Sequence, residues 1–357
     1  MKAIRKLQQR IKEHRIGREN MKSNKIVRYY SSGGNWSTHY DACQIINNLP
    51  KPIAEITTSH LGIEQGVFHY GGISHAVNKK GKIKWPKSNV PIIMTWYHIL
   101  DDDHRIKLIP EMDERVSKWH STCQFTLNTL AENGVSQDKL HLIPLGVDLD
   151  AFKPISIEER NRQRQALSIP EDAFVIGSFQ KDALGWADGV KPKLEKGPDI
   201  FCDTIEKVAK EKPVFILLSG PARGYVKQRL DAANIPYHHT GYLDSTEDIA
   251  KLFPLLDTYL VASRIEGGPK AILESLASGI PLVTSKVGMA PDILTHNKNA
   301  LISDIEDSDA LSQNILTLID SKHKREALSE AGIQLAQQYS WKKIAARYYS
   351  ELYQPLL

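Results

Sequence analysis

The chain of 357 residues contains only three cysteines, Cys43, Cys123 and Cys202, far apart and odd in number. That pattern excludes a disulfide framework, argues against a structural zinc site and points to a reducing compartment. No apolar run approaches the ~18 residues that cross a bilayer, and the start of the chain has no uninterrupted hydrophobic stretch of secretory-signal type. A cytoplasmic protein, neither secreted nor transmembrane, is expected. Internal repeats and low-complexity tracts are also missing. The composition that remains, 41% hydrophobic and 25% charged, is that of an ordinary globular chain, and the length suggests two domains.

The formal net charge of +4 hides an uneven distribution. Residues 1–25 hold nine bases (Lys2, Arg5, Lys6, Arg10, Lys12, Arg15, Arg18, Lys22, Lys25) against Glu13 and Glu19, so this segment carries +7 and the remainder −3. Ile4, Leu7 and Ile11 recur at three and four residues, giving a helix a thin apolar stripe among cations. Such a helix fits an anionic membrane surface, which would make the protein peripheral at the inner face of the membrane; the plainer alternative is a solvated, frayed leader. No feature points to nucleic acid.

Beyond the leader, Lys25–Tyr30 predicts a strand, followed by the glycine-bearing loop Ser31–Trp36 and a helix to Asn48. This is how an α/β domain opens. A second strand, Pro91–Ile99, ends in the polar cluster His98, Asp101, Asp102, Asp103 and His104. A hinge is expected near Leu142–Phe152, where Ile143, Pro144, Gly146 and Pro154 interrupt regular structure. The second half alternates: a strand at Ala173–Phe179, a helix opened by Pro198, strands at Pro213–Ser219 and Thr258–Ala262, and a helix begun by a capping pair, Asp244 and Glu247. That alternation predicts a parallel sheet wrapped in helices. From Asp307 the chain reads as helical, with Trp341–Tyr353 as a separate last helix.

Ser263–Ser285 carries the chemistry. Glu266 and Glu274 have seven residues between them, a spacing that 20 glutamates could produce by chance; the context gives it meaning. A buried strand delivers the chain to Gly267–Gly268, where the backbone can be approached closely, and Pro269 opens a helix stopped by Gly279 and Pro281. The amides of that first turn, with the helix dipole, suit a diphosphate. Glu274 would lie ~7–8 Å down the helix from Pro269, about the span from a diphosphate to its ribose, where a carboxylate accepts both ribose hydroxyls. Glu266 would stand beside the sugar. The bland alternative for both is a solvated charge.

With the small-residue run Ala277–Gly279, the segment Ile143–Asp148, the pair Lys196–Gly197 and the closing Ser340–Trp341, this stretch resembles the retaining glycosyltransferases of family four, also described as group 1 glycosyl transferases. The resemblance implies the GT-B fold: an α/β protein of two Rossmann-like domains facing across a cleft, its C-terminal helix returning to the N-terminal domain. The expected division is a basic leader over 1–23, an acceptor-side domain over 24–155, a nucleotide-sugar domain over 156–338, and a returning helix over 339–357. It further implies that Glu274 binds ribose, that Glu266 and the amides of Gly267 and Gly268 contact the donor sugar and phosphate beside Pro269, and that Lys196 holds the diphosphate. No cofactor is expected, since the nucleotide-sugar is a substrate. The partners would be that donor and a glycan, lipid-linked or small-molecule acceptor.

The family's arginine after the first glycine of this domain is missing; the sequence reads Gly177–Ser178. Lys181, ahead of the insert Asp182–Glu195, could take the cationic role, because the leaving diphosphate gains charge as the glycosidic bond breaks. In the first domain, the resemblance places His98 near the donor sugar and Gly33–Gly34 at the diphosphate, while Trp36, His39 and Tyr40 could line the acceptor side. An ordinary strand-to-helix turn at Gly33–Gly34 remains open. Two other readings compete. Asp101–Asp103 could hold a divalent metal against a diphosphate, although a helix N-terminus and lysines make one unnecessary. The fold could also serve as a non-catalytic nucleotide-sugar scaffold.

Overall fold

The computed structural model describes every residue except Met1, Asn35, Trp36, Lys79, Asp101 and Ala187, and of residues 2–6 the backbone alone. The chain divides into two compact units, residues 1–146 joined by Trp341–Leu357, and Val147–Ser340. This division falls earlier than the expected boundary at 155. The reason is local: Val147 N–H donates to the Tyr339 carbonyl at 2.9 Å, and the Phe152 ring packs against Phe253, so the hinge residues already belong to the second unit.

The first unit is built on a six-stranded sheet of β1 (Val27–Tyr30), β2 (Ala54–Thr57), β3 (Val67–Tyr70), β4 (Ile92–Thr95), β5 (Val116–Ser121) and β6 (Leu140–Leu142), in the order β2-β1-β3-β4-β5-β6. All neighbouring strands run parallel. Both faces of such a sheet are covered, so β3 and β4 are buried throughout. Phe68, Tyr70, Ile92, Met94, Trp96 and Trp119 pack there with Leu127 and Leu130 of the helix Gln124–Glu132. The strand expected over Pro91–Ile99 is shorter. Trp96 N–H still donates to the His120 carbonyl at 2.9 Å, after which the chain leaves the ladder and exposes His98.

The second unit repeats the plan with β7 (Phe174–Phe179), β8 (Val214–Ser219), β9 (Tyr237–His239), β10 (Thr258–Val261), β11 (Leu282–Ser285) and β12 (Leu301–Ser303), in the order β12-β11-β10-β7-β8-β9, again all parallel. The helix Pro198–Glu211 lays Ile200, Phe201, Ile205 and Val208 on this sheet, the periodicity its sequence shows. One expected cap moves by a residue: Ser245, not Asp244, caps the helix Thr246–Ala250, its hydroxyl accepting from Asp248 N–H at 3.0 Å. Serine's shorter side chain reaches that amide without lengthening the turn.

The last segment, expected as one helix over Trp341–Tyr353, is α-helical only over Trp341–Arg347 and continues as a π-helix over Tyr348–Tyr353. It is tied into the first unit by buried polar groups. A Cβ on Gly146 would lie 2.5 Å from the Trp341 ring, so only glycine lets that ring lie flat against the backbone. Tyr353 Oη meets His69 Nδ1 at 2.9 Å, His69 Nε2 meets Thr95 Oγ1 at 2.8 Å, Thr95 Oγ1 meets His120 Nδ1 at 2.9 Å, and His120 Nε2 meets the Ile143 carbonyl at 3.0 Å. A carbonyl can only accept, so His120 carries its proton on Nε2. Thr95 then donates to His120 Nδ1, His69 donates from Nε2 to Thr95, and Tyr353 donates to His69 Nδ1. Every group in the chain is satisfied by one set of neutral tautomers.

Burial holds both imidazoles neutral: it lowers His69 well below the ordinary histidine value and His120 to about 4. In the unfolded chain each titrates near ~6.5. The folded state therefore binds fewer protons in that window, and its stability is full above pH ~6.5 and falls as the pH drops through the folded values. Urea denaturation followed from pH 7 to pH 4 should show a loss of roughly 3 kcal/mol from His120 alone, and the loss should be shallower in His120→Gln.

Candidate functional site

In an open parallel sheet, a crevice forms where successive connections leave in opposite directions. In the second unit β7 has β8 on one side and β10 on the other, so that point lies between β7 and β10. The chain leaving β7 reaches Gln180, and the chain leaving β10 reaches Ser263 and Glu266. These loops meet. Gln180 Nε2 donates to the Lys196 carbonyl at 3.3 Å, Ser263 Oγ contacts the same carbonyl at 3.4 Å, and Ser285 Oγ, ending β11, donates to the Ser263 carbonyl at 2.7 Å.

Lys196 Nζ donates to Glu266 Oε1 at 2.6 Å, and Ser263 Oγ reaches the same oxygen at 3.3 Å. Both charged side chains are partly exposed, 26% and 12%. Water therefore screens the pair, and an arriving anion can take over the lysine. Gly197 explains how Lys196 gets there. Its φ is +61°, and a Cβ would lie 1.9 Å from the Ala262 carbonyl oxygen, so only glycine allows the Lys196 loop to lie on the end of β10. A similar fit operates at Gly288, whose Cβ would lie 2.4 Å from the Gly267 carbonyl oxygen. The loop after β11 thus braces the Gly267–Gly268 loop from behind.

The helix that follows begins one residue later than expected. Pro269 is its N-cap with extended ψ, and Lys270–Ala277 is the helix. Proline's missing N–H costs nothing at either position, and the first-turn amides still point out of the helix start. Glu274 is half-buried on this helix. Its charge and that of Glu266 both act on the Tyr259 hydroxyl, which burial above all holds above the usual phenol range, against the opposing hydrogen bond from Phe179 N–H and with smaller help from the two carboxylates. Tyr259 Oη accepts from Phe179 N–H at 2.8 Å, linking β10 to the end of β7. Glu266 and Glu274 therefore share one electrostatic neighbourhood.

Lys181 is placed differently from the other cation. Its Nζ lies 4.2 Å from the centre of the Trp186 ring, a cation–π contact, and Trp186 meets Tyr242 edge to face at 6.1 Å. Two charged groups that sequence reasoning missed organise this insert. Arg223, fully buried, donates to the Ser178 and Gln180 carbonyls at 2.9 and 3.0 Å, and its Nε lies 3.2 Å from the equally buried Asp182 carboxylate. Burial pushes the Asp182 carboxyl up and Arg223 opposes that push. Nothing in the residue spacing marks Arg223, which follows β8 and reaches the end of β7 only through sheet pairing. Arg264 similarly bridges Asp199 at 2.7 Å and Leu194 at 2.8 Å, fixing the Lys196 loop from outside.

In the first unit, Gly33 and Gly34 follow β1 with φ of +72° and +78°, conformations glycine adopts without strain. His98 lies beyond the end of β4 and is exposed. His39 Nδ1 meets Ser31 Oγ at 3.0 Å and Tyr40 packs edge-on against Trp341, so both have structural partners. Trp36 and Asp101 lie outside the described residues. Asp103 accepts from Arg105 at 2.8 and 2.5 Å and caps the following 3-10 turn, so both its oxygens are engaged. Among the described residues no cluster of three or more histidine, cysteine or carboxylate side chains could hold a metal ion.

Residues 192–335 match the family described as Glycosyl transferases group 1. The chain is 17% identical to the Anabaena protein Alr3699/HepE, solved in complex with UDP, with a TM-score of 0.73 over 90% of this chain and 97% of that one. It is 26% identical over 262 residues, 72% of its length and 57% of the relative's, to MMP alpha-(1->4)-mannosyltransferase of Mycolicibacterium hassiacum. The same identity holds over 216 residues, 60% of this chain and 54% of the relative, with N,N'-diacetylbacillosaminyl-diphospho-undecaprenol alpha-1,3-N-acetylgalactosaminyltransferase of Campylobacter jejuni. The chain spans about half the length of the curated relatives it matches. Its fold is GT-B, and the match to the group 1 glycosyl transferases lies within its second unit.

The buried pair gives a test of how the insert is held. Arg223→Met, leaving Asp182 buried and unpaired, should cost about 3–5 kcal/mol in urea denaturation, and adding Asp182→Leu should restore much of it.

Proposed function

We propose that this chain is a glycosyltransferase that moves a sugar from a nucleotide-sugar to an acceptor hydroxyl, retaining the donor's anomeric configuration and needing no metal. One observation carries the reading: Lys196 and Glu266 meet at 2.6 Å in the crevice between β7 and β10, beside the start of the helix that bears Glu274. An anion entering there finds a lysine and first-turn amides, and a ribose lying along the helix finds Glu274. As the anomeric C–O bond breaks, negative charge grows on the diphosphate, and fixed positive ends stabilise it without reorganising. UDP in the HepE complex supports a uridine diphosphate donor as the first to test. In this reading Glu266 faces the donor sugar, Gly267, Gly268 and Pro269 carry the chain past sugar and phosphate, and Lys181 adds charge from the insert.

Metal independence follows from the charges already present. Asp103, both of whose oxygens Arg105 engages, is a poor ligand for the competing metal-dependent reading. The acceptor is proposed to be a glycan or a lipid-linked sugar, in keeping with the undecaprenol-linked substrate in the name of one relative. The cytoplasmic face of a membrane is the proposed location, residues 1–25 making the contact. Among the described residues no helix is long and apolar enough to cross a membrane.

Glu274→Ala should weaken UDP binding, read by calorimetry, by roughly tenfold or more, the value of about one charge-assisted hydrogen bond. Glu266→Gln should leave UDP affinity near that of the parent and lower turnover instead, because its partner is the sugar. Unchanged UDP affinity in the Glu274 variant would reject the ribose assignment. Two further measurements test the chemistry. Activity should survive EDTA, and NMR of the product should show the donor's anomeric configuration; a metal-reversible loss or an inverted linkage would reject the corresponding part of the reading.

A further inference from the structure

The basic leader is a continuous helix, Lys2–Lys22, and among its described side chains one face is held to the rest of the first unit. Glu13, Ile16, Gly17 and Asn20 are its covered positions, recurring at three and four residues. The fit is close. A Cβ on Gly17 would touch the Leu61 side chain at 3.0 Å, and a Cβ on Gly62 would lie 2.0 Å from the Gly17 carbonyl oxygen. Asn20 Nδ2 donates to the Leu61 carbonyl at 2.8 Å, and Arg28 in β1 donates to the Asn20 carbonyl at 3.1 Å. The expected alternative of a frayed leader does not describe these residues. Their attachment also means that removing the whole segment would uncover buried polar groups, so point changes are the better probe.

At 100° per residue, the opposite face carries Ile11, Arg18 and Lys22 at its centre with Leu7 and Arg15 beside them, while Arg10 and Met21 lie at its edge. Leu7, Ile11 and Met21 are 60%, 61% and 53% exposed. Of the acids, Glu13 lies on the covered side, and Glu19 pairs with Arg15 at 3.7 Å. The outward face is thus cationic with two large exposed apolar side chains, Leu7 and Ile11, among the bases, and the docked glycine and asparagine fix its direction. The side chain of Ile4 lies outside the described residues.

We propose that this outward face, over residues 7–22, is a docking surface for an anionic lipid bilayer, with Leu7 and Ile11 entering the interface and Arg15, Arg18 and Lys22 meeting lipid phosphates. This deepens the surface contact of the proposed function by naming the face that makes it. A bilayer accounts for both chemistries at once: acyl chains take the apolar side chains and headgroups the cations. A polyanion such as a nucleic acid would use the cations and leave exposed leucine and isoleucine unexplained.

The test uses the full chain and vesicles of equal parts phosphatidylcholine and phosphatidylglycerol, against phosphatidylcholine alone. Sedimentation at low salt should be strong with the anionic vesicles, weak with the neutral ones, and reduced by added salt. Leu7→Glu with Ile11→Glu, and separately Arg18→Glu with Lys22→Glu, should each lower it about tenfold or more with an unchanged melting temperature, since all four side chains point away from the docked face. Absence of binding by the parent chain would overturn the proposal. So would equal binding by the apolar variant, or binding abolished by a DNA duplex competitor with the apolar variant unaffected; these mark a general polyanion patch. Vesicle binding is read without donor or turnover, so its failure is separable from failure of the glycosyltransferase reading, which UDP calorimetry on the same preparation checks.

Discussion

The pairing of β7 with β8 on one side and β10 on the other is the constraint from which the candidate site follows. Parallel strands need long return connections, and where two series of returns run in opposite directions no helix covers the strand ends between them. Gln180, Lys196, Glu266 and the helix Lys270–Ala277 all converge on that gap. They come from distant parts of the chain. What brings them together is that each loop begins where a buried strand of this sheet ends.

Close backbone contact then sets the positions within the gap. Gly197 against Ala262 and Gly288 against Gly267 leave no room for a Cβ, so neighbouring loops lock together and little is left to side-chain rotation. Charge is handled in two ways around this frame. Lys196 and Glu266 stay partly wet, so their attraction is modest and can be exchanged for a ligand's. Arg223 and Asp182 are dry, so neither can lose its partner cheaply. The partly wet pair lies in the crevice between β7 and β10, and the dry pair holds the insert beside it.

The first unit is closed by a different device. Its last segment, separated in sequence by the whole second unit, returns through Trp341 on Gly146 and the hydrogen-bonded run from Tyr353 through His69, Thr95 and His120 to Ile143. These groups are fully buried, and their acceptors and donors match in only one tautomeric arrangement. The cost of leaving any of them unmatched makes the return specific, beyond what apolar packing alone would give.

The sequence by itself determined the α/β class, the alternation of buried strands and amphipathic helices, and the candidate segment from Glu266 to Glu274, because these depend on local periodicity and on glycine and proline punctuation. It also separated the basic leader from the rest, since charge is counted without a fold. Tertiary structure decided the rest. Arg223 lies more than forty positions from Ser178 in sequence and meets it only because β7 and β8 pair, so no local signal could reveal it. Gly17 and Asn20 look like ordinary members of a basic helix until Gly62 and Leu61 are brought against them. Lys181 reads as a free cation in the sequence, yet the insert turns Trp186 beneath it. In each case the deciding partner is remote, and a sequence records remote partners only through the sheet that joins them.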